Sequence, residues 1–127
     1  MRIEISVGEL VDKVTILSIK LQKIKNEEKL ANIRREYEIL RESMEAVGIA
    51  IDSDEFKGLL SVNLILWDIE DKIRLKEAKK QFDDEFIELA RSVYIQNDQR
   101  YELKRKINLS CGSELIEEKE YVDYKQR

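Results

Sequence analysis

Residues 90–108 read A-R-S-V-Y-I-Q-N-D-Q-R-Y-E-L-K-R-K-I-N. Phe86, Ala90 and Val93 start an apolar stripe at helical spacing, and Ile107 resumes it. Between them the stripe is interrupted by Asn97, Arg100 and Lys104. At about 100° per residue, these three lie within roughly 60° of one another on the same line. An unpaired amide or ammonium on a core-facing line costs on the order of several kcal/mol. The segment therefore predicts a long amphipathic helix that carries polar groups inward, where neighbouring elements must answer them.

Composition agrees with a helical chain. The sequence has 127 residues, no proline and only four glycines, and proline is the residue least compatible with helix interiors. Hydrophobic residues make up 43% and charged residues 39%, a highly charged mixture that still supports a core. The length predicts a single domain spanning 1–127, with a folded surface of roughly 7,000 Å² by size scaling. The net charge is -4, which argues against a nucleic-acid partner, since such proteins need surplus cations for phosphates. The longest uninterrupted apolar run, Leu64 to Trp67, is far too short to span a membrane. With one cysteine, Cys111, no internal disulfide can form. The expected location is the reducing cytoplasm.

Outward from this segment, the expected architecture is all-α: a bundle of about four helices with an extended stretch at residues 1–6. Ser6-Val7-Gly8-Glu9 reads as a capping box opening a helix over 7–25. That helix is apolar on more than one face, which predicts a central position, with Asp12 and Thr15 toward its second face. Asn26 followed by Glu27 and Glu28 starts another helix over 27–47. Its seam of Leu30, Ile33, Tyr37, Leu40, Met44 and Val47 suits a hairpin with the first helix, or a dimer contact. Gly48 ends it. Asp52 or Asp54 is expected to cap a third helix over 55–80, and Asp83 a fourth over 84–110, with Gly112 beyond. The tail, 113–127, alternates in part and could pair with residues 1–6 as a short strand.

The candidate chemistry is limited by what is missing. The chain has no histidine, so the commonest general base and transition-metal ligand are absent. The fourth helix offers a ligand-binding set: Asn97, Arg100 and Lys104, with Arg91, Tyr94 and Asn108. Residues 90–108 hold five basic and two acidic residues, which suits an anion-binding groove with Arg100 bidentate and Lys104 a point charge. The structural alternative is an ion-pair network with Asp68 and Asp71 of the third helix. Glu9 with Asp12, and Asp68 with Asp71, also form two i, i+3 carboxylate pairs. Facing each other they could hold Mg²⁺, which prefers oxygen ligands; otherwise no cofactor is expected.

Four blocks in order carry a resemblance. They are Ile5-Ser6-Val7-Gly8-Glu9-Leu10-Val11-Asp12-Lys13 with Thr15, Ile16, Leu17, Ile19 and Lys20; Trp67-Asp68-Ile69-Glu70-Asp71 with Ile73-Arg74; Ala90-Arg91-Ser92-Val93-Tyr94 with Asn97-Asp98, Arg100, Lys104 and Ile107-Asn108; and Glu117-Glu118-Lys119 with Tyr121. Together they resemble a small family of bacterial and phage proteins classed as a domain of unknown function. That module also occurs beside glycosyltransferase-type or tetratricopeptide segments, and the resemblance implies no particular chemistry. The two carboxylate pairs further resemble those of the all-α nucleotide pyrophosphatases, which would imply Mg²⁺-dependent hydrolysis of a nucleotide or nucleotide sugar. The leading expectation is a non-catalytic binding or accessory module for a small anionic ligand or an acidic partner segment, acting as a monomer or homodimer. A Mg²⁺-dependent hydrolase and a structural dimer are the alternatives.

Overall fold

In the computed structural model, which describes residues 1–125, four helices follow in order: α1 (Val7–Lys23), α2 (Glu27–Ala46), α3 (Asp54–Ala78) and α4 (Asp84–Ser110). Each begins where a side-chain acceptor can hold a free amide of the first turn. Ser6 accepts from the Glu9 amide at 3.1 Å, Asn26 from Lys29 at 3.0 Å and Asp83 from Phe86 at 3.0 Å.

Several boundaries differ from the sequence reading; α2, for one, ends at Ala46 rather than at residue 47. The cap of α3 is Ser53, not Asp52 or Asp54; its hydroxyl accepts from the Phe56 amide and donates to the Ala50 carbonyl. This leaves Asp54 and Glu55 in the first turn, facing the positive end of the helix dipole. Helix α1 stops at Lys23 rather than at residue 25, because Ile24 and Asn26 must be extended for Asn26 to cap α2. Helix α3 stops at Ala78 rather than at residue 80. The Lys80 amide bonds to the Glu77 carbonyl and the Gln81 amide to Lys76. This paired closure places Lys80 in the left-handed region at φ 56°, where glycine would usually stand.

Helix α1 is central, as its apolar faces predict. It packs against α2, α3 and α4, whereas α2 packs alongside α1 alone. The core joins Leu10, Val11 and Val14 of α1 to Met44, Ile49, Phe56, Leu59 and Ile107. Leu30 and Met44 of the α2 seam are buried, with Tyr37 and Leu40 packed at the edge of this core. The seam thus makes the α1–α2 hairpin.

At ~1.5 Å per residue, α3 and α4 outrun α1 by roughly 12–15 Å. Their far ends leave Leu75, Phe82 and Ile87 more than half exposed, with Phe82 edge-on to Phe86 at 5.2 Å. The accessible surface, 9095 Å², is larger than size scaling predicts.

The ends of the chain do not form a sheet. Residues 1–6 and 113–125 carry no regular secondary structure, and no strand occurs among the described residues. They meet through a side chain: the Val7 amide donates to Ser113 Oγ at 3.1 Å. A ladder a few residues long would be marginal by itself. Residues 126 and 127 of the expected tail lie outside the described residues. Among the described residues no helix is long and apolar enough to cross a membrane.

Candidate functional site

The site is built where α1 lies antiparallel against α4. Gly8 lets the two backbones touch: a Cβ added there would run into the Lys104 carbonyl oxygen and come within 3.0 Å of Asn108 Oδ1. Asn108 is 1% exposed and accepts from the Gly8 amide at 2.7 Å. With Ser6, Ser113 and Asn108 holding the Glu9, Val7 and Gly8 amides, the start of α1 has its free donors occupied by side chains.

The next residue of α1, Glu9, turns its carboxylate to α4. The sequence pattern predicts that its carboxylate folds back on Ser6; instead it accepts from Lys104 Nζ at 2.8 Å. Lys104 is held a second time by Glu117 of the tail at 3.2 Å. Burial works to lower the Lys104 pKa, but the Glu9 hydrogen bond and the charges of Asp12, Glu9 and Glu117 outweigh it, and the net shift is upward.

Asp12 is 1% exposed, and a buried carboxylate must be fully partnered. Arg100 grips it in the side-on bidentate manner, Nε to Oδ1 at 2.9 Å and Nη2 to Oδ2. These hydrogen bonds raise the Arg100 pKa against the effect of burial. A third donor is Asn63 of α3, whose Nδ2 reaches Asp12 Oδ1 at 2.9 Å and Thr15 Oγ1 at 2.8 Å. Arg100 also donates weakly to Asn97 Oδ1 at 3.4 Å.

The polar line of α4 is therefore answered by α1 and the tail, not by Asp68 and Asp71. Asp68 and Asp71 are exposed on α3. Among the described residues no three carboxylate or thiol groups gather in a way that could hold a metal ion. Glu9 and Asp12 are committed to Lys104 and Arg100.

Of the six residues expected to bind a ligand, three come together. Asn97, Arg100 and Lys104 line a cavity of about 200 Å³ with Tyr101 and with Glu117 and Lys119 of the tail. The other three are elsewhere. Arg91 pairs with Glu88 at the surface, Tyr94 stacks edge-on against Tyr124 at 4.9 Å, and Asn108 is sealed beneath Gly8.

Other contributors stand outside the expected ligand-binding set, Asn63, Glu117 and Lys119 among them. Asn63 interrupts the apolar stripe of α3 between Leu59 and Leu66, the same signal that α4 displays. Lys119 has no periodic signal, since the tail follows neither the helix nor the strand repeat.

The tail runs back along the outer face of α4. Glu117 reaches Lys104, Glu118 pairs with Arg105, the Lys119 amide donates to the Tyr101 hydroxyl at 3.3 Å, and the Tyr124 hydroxyl donates to Asp98. The Asp98 hydrogen bond, followed by burial and nearby charges, pushes the Tyr124 phenol up to about 12. Because this exceeds the unfolded value of about 10, the contact stabilises fully below about pH 10 and is lost as pH rises toward about 12. Tyr124→Phe is expected to loosen the tail at neutral pH. Trypsin cleavage after Lys119 should become several-fold faster, and wild type should approach the same rate at alkaline pH. Equal rates at neutral pH would mean that this hydroxyl does not anchor the tail.

No curated protein and no solved structure matches the chain. The profile of a family of unknown function, DUF6165, matches residues 1–125. The α1 start, the Trp67 block, the polar line of α4 and the tail all lie within that span, and the chain belongs to this family.

Proposed function

We propose that the protein is a non-catalytic binding module that takes a small anionic ligand, of phosphate or carboxylate type, at Asn97, Arg100, Lys104 and Lys119. The observation that carries this reading is the lining of the small cavity: three cationic side chains and two neutral hydrogen-bonding ones against one lining carboxylate, Glu117, with Asp12 and Glu9 bonded to Arg100 and Lys104 from α1. Confined cations of this kind attract an anion more strongly than the same charges in open water. Glu117 sits where a ligand's own acid group would sit, on Lys104, so a bound anion would compete with it. An acidic segment of a partner protein could enter by the same chemistry.

The absence of histidine, with Cys111 exposed and away from the cavity, supports binding over nucleophilic catalysis. Mg²⁺-dependent hydrolysis has less support, because Glu9 and Asp12 are held by cations and Asp68 and Asp71 face solvent. A dimer through the α2 seam has less support too, because α1 already covers that seam.

Calorimetry of the full chain with inorganic phosphate at low ionic strength tests the proposal. Binding is expected near ~1 mM or tighter, about 4 kcal/mol. Lys119→Ala should weaken it about tenfold, roughly 1.4 kcal/mol, while Glu117→Gln should tighten it several-fold by freeing Lys104. Neither substitution removes a buried partner from Asp12, so both proteins should remain folded. No heat with phosphate, or equal affinities in all three proteins, would overturn the proposal.

A further inference from the structure

Asn97 and Arg100 also wall a second and larger space. This cleft, about 520 Å³, opens between α1, α3 and α4, and its apolar side is Ile16, Ile19, Leu66 and Trp67. Its polar rim comes from α3: Asn63, Glu70, Asp71 and Arg74. The small cavity alone falls below the roughly 300–1,000 Å³ of small-molecule sites, whereas the cleft lies within that range.

The two spaces have complementary chemistry. The cationic cavity suits one compact anion. In the cleft, Glu70 and Asp71 disfavour a second anion but accept hydrogen bonds from hydroxyl groups. Trp67 is half-buried, offering an aromatic wall against which the flat or C–H face of a ring can pack.

We propose that cavity and cleft together bind a phosphomonoester of a hydroxylated ring compound. Its phosphoryl group lies among Arg100, Lys104 and Lys119, its ring against Trp67, and its hydroxyls on Glu70 and Asp71. This rests on the anion-binding reading of the smaller cavity and adds the ligand class. Asn97 and Arg100 line both spaces, so the two adjoin there.

Trp67 is the only tryptophan in the chain, so its emission reports directly on the cleft. The experiment titrates the full-length protein with inorganic phosphate, glucose 6-phosphate, AMP and glucose, following emission and heat. At least one of the two esters should bind about tenfold or more tighter than inorganic phosphate and change Trp67 emission to saturation. Inorganic phosphate should bind with little change in emission, and glucose should not compete at matched concentrations. The preference between the esters distinguishes a hexose from a nucleoside as the ring.

By calorimetry, Trp67→Ala should reduce the favoured ester to the affinity of phosphate. Asp71→Asn, at an exposed position with no ion pair among the described residues, should weaken the ester several-fold and leave phosphate unchanged. If phosphate binds but neither ester gains affinity, or the gain survives both substitutions, the cleft proposal is overturned and the anion pocket stands. If phosphate does not bind either, both proposals fall.

Discussion

Gly8→Ala is expected to destabilise the protein by ~3 kcal/mol or more, an overpacking effect at the upper end for a single methyl group. The added Cβ meets backbone, the Lys104 carbonyl, rather than the movable end of a side chain. Relief requires α1 and α4 to separate, and every contact along their interface depends on that spacing. The Gly8 amide would leave Asn108 Oδ1, and the Glu9–Lys104 and Asp12–Arg100 pairs would stretch. Alanine's better helix propensity, about 0.5–1 kcal/mol, works in the opposite direction but is too small to offset this. For a chain of this size the melting temperature should fall by on the order of 10 °C. A loss below ~1 kcal/mol would mean that the two helix backbones do not touch at Gly8.

Arg100→Ala should destabilise by about 3–5 kcal/mol, because it leaves the Asp12 carboxylate buried without its cation. Asn63 remains as a donor, but one amide cannot replace a bidentate guanidinium. The reverse substitution should be milder. After Asp12→Ala, the Arg100 side chain, 29% exposed, can turn its charge into the adjoining cleft. Asn63 keeps its bond to Thr15. A loss nearer ~2 kcal/mol is expected. The double substitution should resemble Asp12→Ala alone, giving a coupling of roughly 3–5 kcal/mol in a denaturant-unfolding cycle. Arg100→Ala no worse than Asp12→Ala would contradict this asymmetry.

Much of the fold follows from local chemistry visible in the sequence. Ser6, Asn26 and Asp83 cap helices because a short side-chain oxygen just before an apolar-periodic run can satisfy a free amide. Helix α1 is central because its apolar residues cover more than one face. The endings at Ala78 and Ser53 were less legible. Lys80 takes a backbone conformation that its side chain does not advertise, and Ser53 stands between two aspartates that are equally able to cap.

At the site, the line of Asn97, Arg100 and Lys104 identified which face of α4 carries polar groups, but not which helix answers them. The Glu9/Asp12 and Asp68/Asp71 pairs have identical spacing, so periodicity cannot choose between them. The choice was made by the antiparallel approach of α1, which Gly8 permits and which reads locally as one residue of a helix cap. The tail motif Glu117-Glu118-Lys119 owes its place to charges and a backbone amide meeting α4, contacts with no periodic signature. Asn63 could have been found by applying to α3 the test that exposed α4: a polar residue on an apolar line.

The polar line has two parts to play: Arg100 and Lys104 lock α4 to α1 through Asp12 and Glu9, and the same two side chains wall a small pocket with Asn97. A side-chain and backbone NMR titration of the full-length protein with inorganic phosphate separates these parts. Phosphate should shift the signals of Asn97, Arg100, Tyr101, Lys104 and Lys119 along one saturable curve and leave exposed lysines such as Lys29 and Lys72 unmoved. Shifts spread evenly over surface lysines, or none at tens of millimolar phosphate, would show that the network is a structural lock with no seat for an anion.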